Sequence, residues 1–179
     1  VHTSQGSIDC AKAVITSGIW SKDAMQKLGL SVPLETERGY HVIFKKPSIM
    51  PKNPMMMTTG KFGVTPMEMG LRCAGTVELG GIKAKASAGP TKLIHKFAKE
   101  AFPNLTYSST EEWMGFRPST PDSLPLIGEL SRSGIYTGFG HQHIGLTAGP
   151  KTGRLIAQMI DDQPSNYDLS PYDPHRYIS

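Results

Sequence analysis

Gly134-Ile135-Tyr136-Thr137-Gly138-Phe139-Gly140-His141-Gln142-His143-Ile144-Gly145-Leu146-Thr147-Ala148-Gly149-Pro150-Lys151-Thr152-Gly153 reads as three pieces in a row. Gly134 to Gly138 is a short strand of β-branched and aromatic residues closed by glycine. A glycine-rich turn follows. The spacing of Leu155, Ile156, Met159 and Ile160 then predicts a helix from about Pro150 to Ile160, with Pro150 in its first turn. A strand that ends in glycines and feeds a helix presents unpaired backbone N–H groups at the helix start. The helix dipole there favours an anion, by about 0.3–1 kcal/mol at an exposed site. The same pattern is also that of a plain tight turn.

Just upstream lies Trp113-Met114-Gly115-Phe116-Arg117-Pro118-Ser119-Thr120-Pro121-Asp122-Ser123-Leu124-Pro125-Leu126-Ile127-Gly128. Three prolines and two glycines make it too rigid for a helix interior. Ser108 to Arg117 reads as extended. Arg117, between Phe116 and Pro118, could hold a carboxylate through two parallel hydrogen bonds. It could equally be an ion-pair arginine, with Asp122 and Glu129 nearby.

Further out, Ala11 to Thr16 is a short buried strand ended by Ser17-Gly18. A helix is expected through Leu28, with Ser21 as N-cap, Asp23 in the first turn and Gly29 as the stop. The middle changes character. Glu37 to Phe44, Met55 to Thr58, Lys61 to Pro66 and Met69 to Leu79 read as strands joined by turns, with a proline-punctuated loop from Pro47 to Pro54. Thr91 to Phe102 is an amphipathic helix with Leu93, Ile94, Phe97, Ala98 and Ala101 on one face, stopped by Pro103. From Gln163 on the chain is polar, either a surface strap or disordered. The expected class is α+β. An antiparallel sheet with flanking helices sits between strand and helix elements of an incomplete α/β domain.

Bulk composition excludes several classes. At 179 residues there is length for a real core. The net charge of +4 comes from scattered Lys and Arg with no basic block, so nothing supports nucleic-acid binding, while small anions are well suited. No apolar run approaches the ~20 residues of a membrane span. Cys10 and Cys73 have no zinc spacing, and both are expected to be reduced, partly buried thiols. His141 and His143 lack acidic or cysteine co-ligands at useful spacing, so no metal is expected. Met55-Met56-Met57 suits packing. GxSxG, HExxH and Walker A patterns do not occur, and nucleophilic hydrolysis has no support.

Arg117-Pro118-Ser119-Thr120-Pro121-Asp122, Leu124-Pro125-Leu126-Ile127-Gly128, Gly140-His141, Gly145-Leu146-Thr147 and Gly149-Pro150-Lys151-Thr152-Gly153 form an ordered set. So do Ala13 to Ser21, Glu37-Arg38-Gly39-Tyr40-His41 and Gly70 to Glu78. Together they resemble the C-terminal half of the FAD-dependent D-amino-acid oxidase/dehydrogenase family, closest to the bacterial D-amino-acid dehydrogenase small-subunit type.

The resemblance implies an FAD-binding fragment over residues 1–32 and a substrate-binding domain over 33–116. Residues 117–164 would return to the FAD domain, and 165–179 would be a tail. Arg117 would bind the substrate carboxylate, with Tyr40, His41 and Arg72 on the substrate wall. Gly18, Trp20, Gly140, His141, Ile144, Gly145, Leu146 and Thr147 would face the flavin. No catalytic residue is assigned. The implied reaction is oxidation of a D-amino acid by hydride transfer from its Cα to FAD, giving a 2-oxo acid and ammonia through an imine. Alternatives are a D-hydroxyproline or other secondary-amine dehydrogenase, sarcosine- or glycine-oxidase-like, or a catalytically silent domain. The family's strand–GxGxxG–helix unit for the ADP half of FAD is not in this sequence. The chain is therefore expected to be a fragment that needs the first half of the same polypeptide and is inactive alone. The expected location is cytoplasmic, with the inner membrane face as the alternative; the electron acceptor is unassigned.

Overall fold

The computed structural model describes residues 1–177. The elements run β1 (His2–Thr3), β2 (Gly6–Ser7), β3 (Ala13–Ile15), α1 (Ser21–Lys27), β4 (Glu35–Lys45), β5 (Met55–Met57), β6 (Phe62–Met67), β7 (Gly70–Leu79), α2 (Gly89–Ala101), β8 (Ser109–Ser119), β9 (Leu126–Glu129), β10 (Ile135–Phe139) and α3 (Gly145–Ile160). They divide into two compact units, residues 36–116 and residues 1–35 with 117–179. The mixed α and β architecture expected from the sequence is what the chain adopts.

The middle unit is built on the sheet β5-β6-β7-β4-β8, whose β5·β6, β6·β7 and β7·β4 pairs are antiparallel. Strand alternation puts Tyr40, Val42 and Phe44 of β4 on one face, with Phe62 and Val64 of β6 and Leu71 and Cys73 of β7. α2 lays Ile94 and Ala98 on that face, and Phe97, Ala101, Phe102 and Leu105 pack around them. Each large side chain so buried contributes about 1.5–3 kcal/mol. α2 begins at Gly89, two residues before the expected start, because Pro90 suits the first turn, where an N–H would have no partner.

One irregularity shapes this sheet. Between Gly39 and Tyr40 the register with β7 slips by a residue, and Thr76 is left over in the left-handed region at φ 64°. This bulge re-phases the second half of β7. Glu78 therefore turns toward Arg38 and Tyr40, while Val77 is exposed.

In the other unit a three-stranded sheet runs β3-β10-β9, with β3 parallel and β9 antiparallel to β10. α3 packs Ile156 onto Ile127 and Tyr136, with Met159, Ile160 and Tyr172 at the margin. A Cβ at Gly138 would stand 2.7 Å from Ile156 Cδ1, so glycine there sets how closely α3 approaches β10.

Four expectations need correction. α3 starts at Gly145, not Pro150, because the turn Ile144–Ala148 already closes a helical bond (Ala148 N–H to Ile144 O, 2.8 Å). Pro150 is interior, and the carbonyl it leaves without a donor belongs to Leu146, whose surroundings are open to water. Ser21 is the first helical residue of α1 and is fully buried, its hydroxyl 3.1 Å from that of Ser17; Trp20 occupies the cap position. Cys10 is exposed, whereas Cys73 is buried and its thiol is pushed up to about 12 by desolvation. Leu126–Glu129, within the run read only as too rigid for a helix interior, is a strand, since β10 supplies its partner. The segment after Gln163 carries two 3-10 turns, Ser170–Tyr172 and Pro174–Tyr177. Ile178 and Ser179 of the expected tail lie outside the described residues.

Candidate functional site

The end of β10, the turn after it and the start of α3 enclose a cleft of about 350 Å3. Thr16, Gly18, Gly138, Gly140, His141 and Gly145 are among its walls. Gly140 has φ 88°, a conformation that side chains with a Cβ rarely adopt. Gln142 follows at φ 52° and donates its N–H to Pro118 O at 2.9 Å, tying the turn to the end of β8. α3 then starts with no side-chain cap, so its first N–H groups and positive dipole end are free for a ligand.

His141 is buried, and its Nε2 lies 2.8 Å from the Thr152 hydroxyl. Burial lowers its pKa, which keeps the ring neutral at pH 7. Added Cβ atoms at Gly18, Gly149 and Gly153 would meet nothing within 4 Å, and one at Gly145 would meet only His141. The cleft is thus space that ordinary side chains would fill.

Of the eight residues expected at the flavin, Gly18, Gly140, His141 and Gly145 come together in this cleft. Trp20, Ile144, Leu146 and Thr147 do not line it. All four are exposed, Leu146 at 96%.

Arg117 is on the closing residues of β8 and is half-buried. Its two sequence neighbours of opposite charge are taken. Asp122 pairs with Arg176 at 2.9 Å, and Glu129 accepts the Gly134 N–H at 2.9 Å. No hydrogen bond or ion pair to the Arg117 guanidinium exists among the described residues. Two residues on, the Ser119 hydroxyl is buried with no hydrogen-bond partner among the described residues.

In the middle unit the three wall candidates separate. Tyr40 is only 2% exposed and lies on the α2 face, where its hydroxyl donates to Glu78 and accepts the Ser87 N–H at 3.3 Å. His41 and Arg72 lie on the opposite face, Arg72 Nη2 3.4 Å from His41 Nδ1. Burial first, then the Arg72 charge, lowers the His41 pKa, against an opposing pull from Glu111. The Trp113 indole stacks on His41 at 5.0 Å and 22° and lies over Gly115. Trp113 was not among the candidates. Its signal was the alternation Trp113, Gly115, Arg117 along one strand, which sets an aromatic ring and a cation at the same parity.

A family model described as "FAD dependent oxidoreductase" matches residues 1–159. The chain belongs to this family. The D-amino-acid oxidase of Bradyrhizobium diazoefficiens is 38% identical over 184 residues, covering 99% of this chain and 44% of that protein. A D-amino acid dehydrogenase of Vibrio vulnificus is 31% identical over 179 residues, covering 96% of this chain and 43% of that protein. The structure of glycine oxidase from Geobacillus kaustophilus superposes with a TM-score of 0.85 at 25% identity, over 99% of this chain and 49% of that one. The FAD dependent oxidoreductase chain thus spans about half the length of the relatives it matches. FAD is the cofactor of the family. The glycine-lined cleft and uncapped helix start fit a flat group that takes on negative charge when reduced. No helix among the described residues is long and apolar enough to cross a membrane.

Proposed function

We propose that this chain supplies the substrate anchor and part of the flavin site of an enzyme that oxidises D-amino acids to 2-oxo acids and ammonia through an imine. The observation that carries the reading is Arg117, a half-buried guanidinium without a partner among the described residues. A carboxylate is the planar anion that satisfies it with two parallel hydrogen bonds.

Gly18, Gly140, His141 and Gly145 would hold the FAD through close backbone approach, and the start of α3 would stabilise negative charge on it. When bound, FAD supplies the two-electron acceptor. The protein's own share is orientation. Arg117 fixes the carboxylate and so limits how the substrate Cα presents itself. The buried, neutral His141 holds the turn through Thr152. Relatives named D-amino-acid oxidase and D-amino acid dehydrogenase support the substrate class. A second reading, glycine or another small amine as substrate, is favoured by the 0.85 TM-score to a glycine oxidase.

The test is anaerobic flavin reduction by a panel of D-alanine, D-proline, glycine and sarcosine, using the flavin-loaded protein. Reduction by the D-amino acids is expected, and a flavin left oxidised by both would sink the reading. Arg117→Leu should raise KM by about 10- to 150-fold, the worth of a charge-assisted hydrogen bond at about 1.5–3 kcal/mol. An unchanged KM would remove Arg117 from the site.

A further inference from the structure

We propose that Arg176, on the turn Pro174–Tyr177, is a positioning residue for the flavin cleft, holding the loop 120–125 against Gly140. The inference rests on the reading of that cleft given above, and it adds a residue from a polar segment that no motif singled out.

Arg176 is mostly buried and donates from all three guanidinium nitrogens. Nε donates to Asp122 Oδ2 at 2.9 Å, Nη2 donates to Leu124 O at 2.7 Å and to Asp122 Oδ1 at 3.3 Å, and Nη1 donates to Asp173 O at 3.1 Å. The Tyr177 ring lies 4.6 Å under the guanidinium, and its hydroxyl accepts the Asp122 N–H at 3.2 Å. The loop itself needs such support. Ser123 sits at φ 64°, and only three internal bonds hold it: Ser123 N–H to Thr120 O, Leu124 N–H to Asp122 Oδ1, and the Thr120 hydroxyl to Leu124 O.

The loop lies beside the cleft wall, close enough that a side chain on Gly140 would meet it. Thr120 Cγ2 stands 3.1 Å, and Pro125 Cα 3.5 Å, from where a Cβ on Gly140 would be. Pro118, at the start of the same segment, accepts the Gln142 N–H. Pro118, Gly140 and Gln142 all line the cleft. The chain of contact is therefore continuous: Arg176 to Asp122 and Leu124, those to Thr120 and Pro125, and these to Gly140. A small displacement of this wall moves the backbone meant to meet the flavin, and displacements near 1 Å are enough to cost about two orders of magnitude in an oriented site.

His175 serves as the internal control. Its Nε2 accepts both the Ser131 N–H at 3.1 Å and the Ser131 hydroxyl at 3.0 Å, while Nδ1 faces Asp173 at 2.8 Å. The Ser–His–Asp order is that of a hydrolase triad. Here, however, the nitrogen that would act as base already caps a backbone N–H of the turn 130–133, so its role is a turn cap. His175 anchors the same segment to the β9–β10 turn, and its hydrogen bonds go to Ser131 and Asp173, not to the loop 120–125.

The experiment measures FAD affinity and KM in the flavin-loaded protein for Arg176→Leu, Arg176→Lys, Asp122→Asn and His175→Gln, well below each melting temperature. It also measures amide exchange at Gln142. Arg176→Leu should weaken FAD binding by roughly tenfold or more and speed Gln142 exchange, Arg176→Lys should recover part of both, and His175→Gln should lower the melting temperature without either change. Asp122→Asn removes the charge that Arg176 grips, should weaken FAD binding in the same direction, and serves where Arg176→Leu does not fold. The idea is overturned if Arg176→Leu and Asp122→Asn keep FAD affinity within about twofold, or if His175→Gln loses it equally. Should the wild-type protein bind no FAD, the proposed function falls. Gln142 exchange then judges the strap alone: faster in Arg176→Leu upholds it, unchanged refutes it.

Discussion

Gly140 shows how one residue can set both a conformation and a distance. Its φ of 88° lies where an L side chain is strained, and an added Cβ would press on Thr120. Gly140→Ala should therefore cost about 1–2 kcal/mol from the backbone alone and tilt the loop 120–125 outward. Denaturant unfolding measures the first effect, and retention of FAD on desalting measures the second. At this scale the sequence was readable where chemistry is unusual: a glycine cluster, or an arginine among prolines. It was less so where meaning depends on partners. Asp122 and Glu129 read as mates for Arg117, yet both are claimed by groups far along the chain or across a hairpin. Trp113 went unread because an aromatic on a strand has the same pattern whether it faces a core or an open side.

Arg38 joins two elements. It is 2% exposed on β4, and its donors reach the carbonyls of Gly80, Gly81, Ala84 and Lys85 as well as Glu78. Glu78 is in turn held below the usual carboxylate range by the Ser87 hydroxyl first, then Tyr40 and Arg38. The connection from β7 to α2 is thus a loop wound around a cation. Arg38→Met should lower the melting temperature, because the carbonyls of Gly80, Gly81, Ala84 and Lys85 lose their donor. Limited proteolysis should then cut within 80–88 first, and an uncut loop would count against the staple. Alternation along β4 and β7 was legible from residue type. The bulge at Thr76 was not, because threonine is an ordinary strand residue and gives no sign of a left-handed turn. Nor was β9, because Pro125 before it and Gly128 within it give no strand pattern until β10 provides the ladder.

Across the unit formed by residues 1–35 and 117–179, acid should undo the pairing of segments distant in sequence. The Arg176 guanidinium holds the Asp122 carboxyl far below its ordinary value, helped by the Leu124 N–H and opposed by burial. A depressed carboxyl adds stability that is fully present above its unfolded pKa, about 3.9, and is lost as pH falls toward the folded value. Asp122→Asn should lower the melting temperature at pH 7, and the gap to wild type should close below about pH 4. A gap that stays constant with pH would show that the pair adds nothing. Family and overall class were legible at this scale because the motifs keep their order over nearly the whole chain. The partners of the polar strap after Gln163 were not, because they lie about 50 residues upstream.

The parallel pairing of β3 with β10 has a consequence in time. Ala13 meets Ile135 across that ladder, so its partner strand is translated about 120 residues later. At about 5–20 residues per second, the nascent β3 waits on the order of 6–24 s with that edge unpaired. The whole middle unit leaves the ribosome during that interval, so the small sheet closes only after that unit has been made.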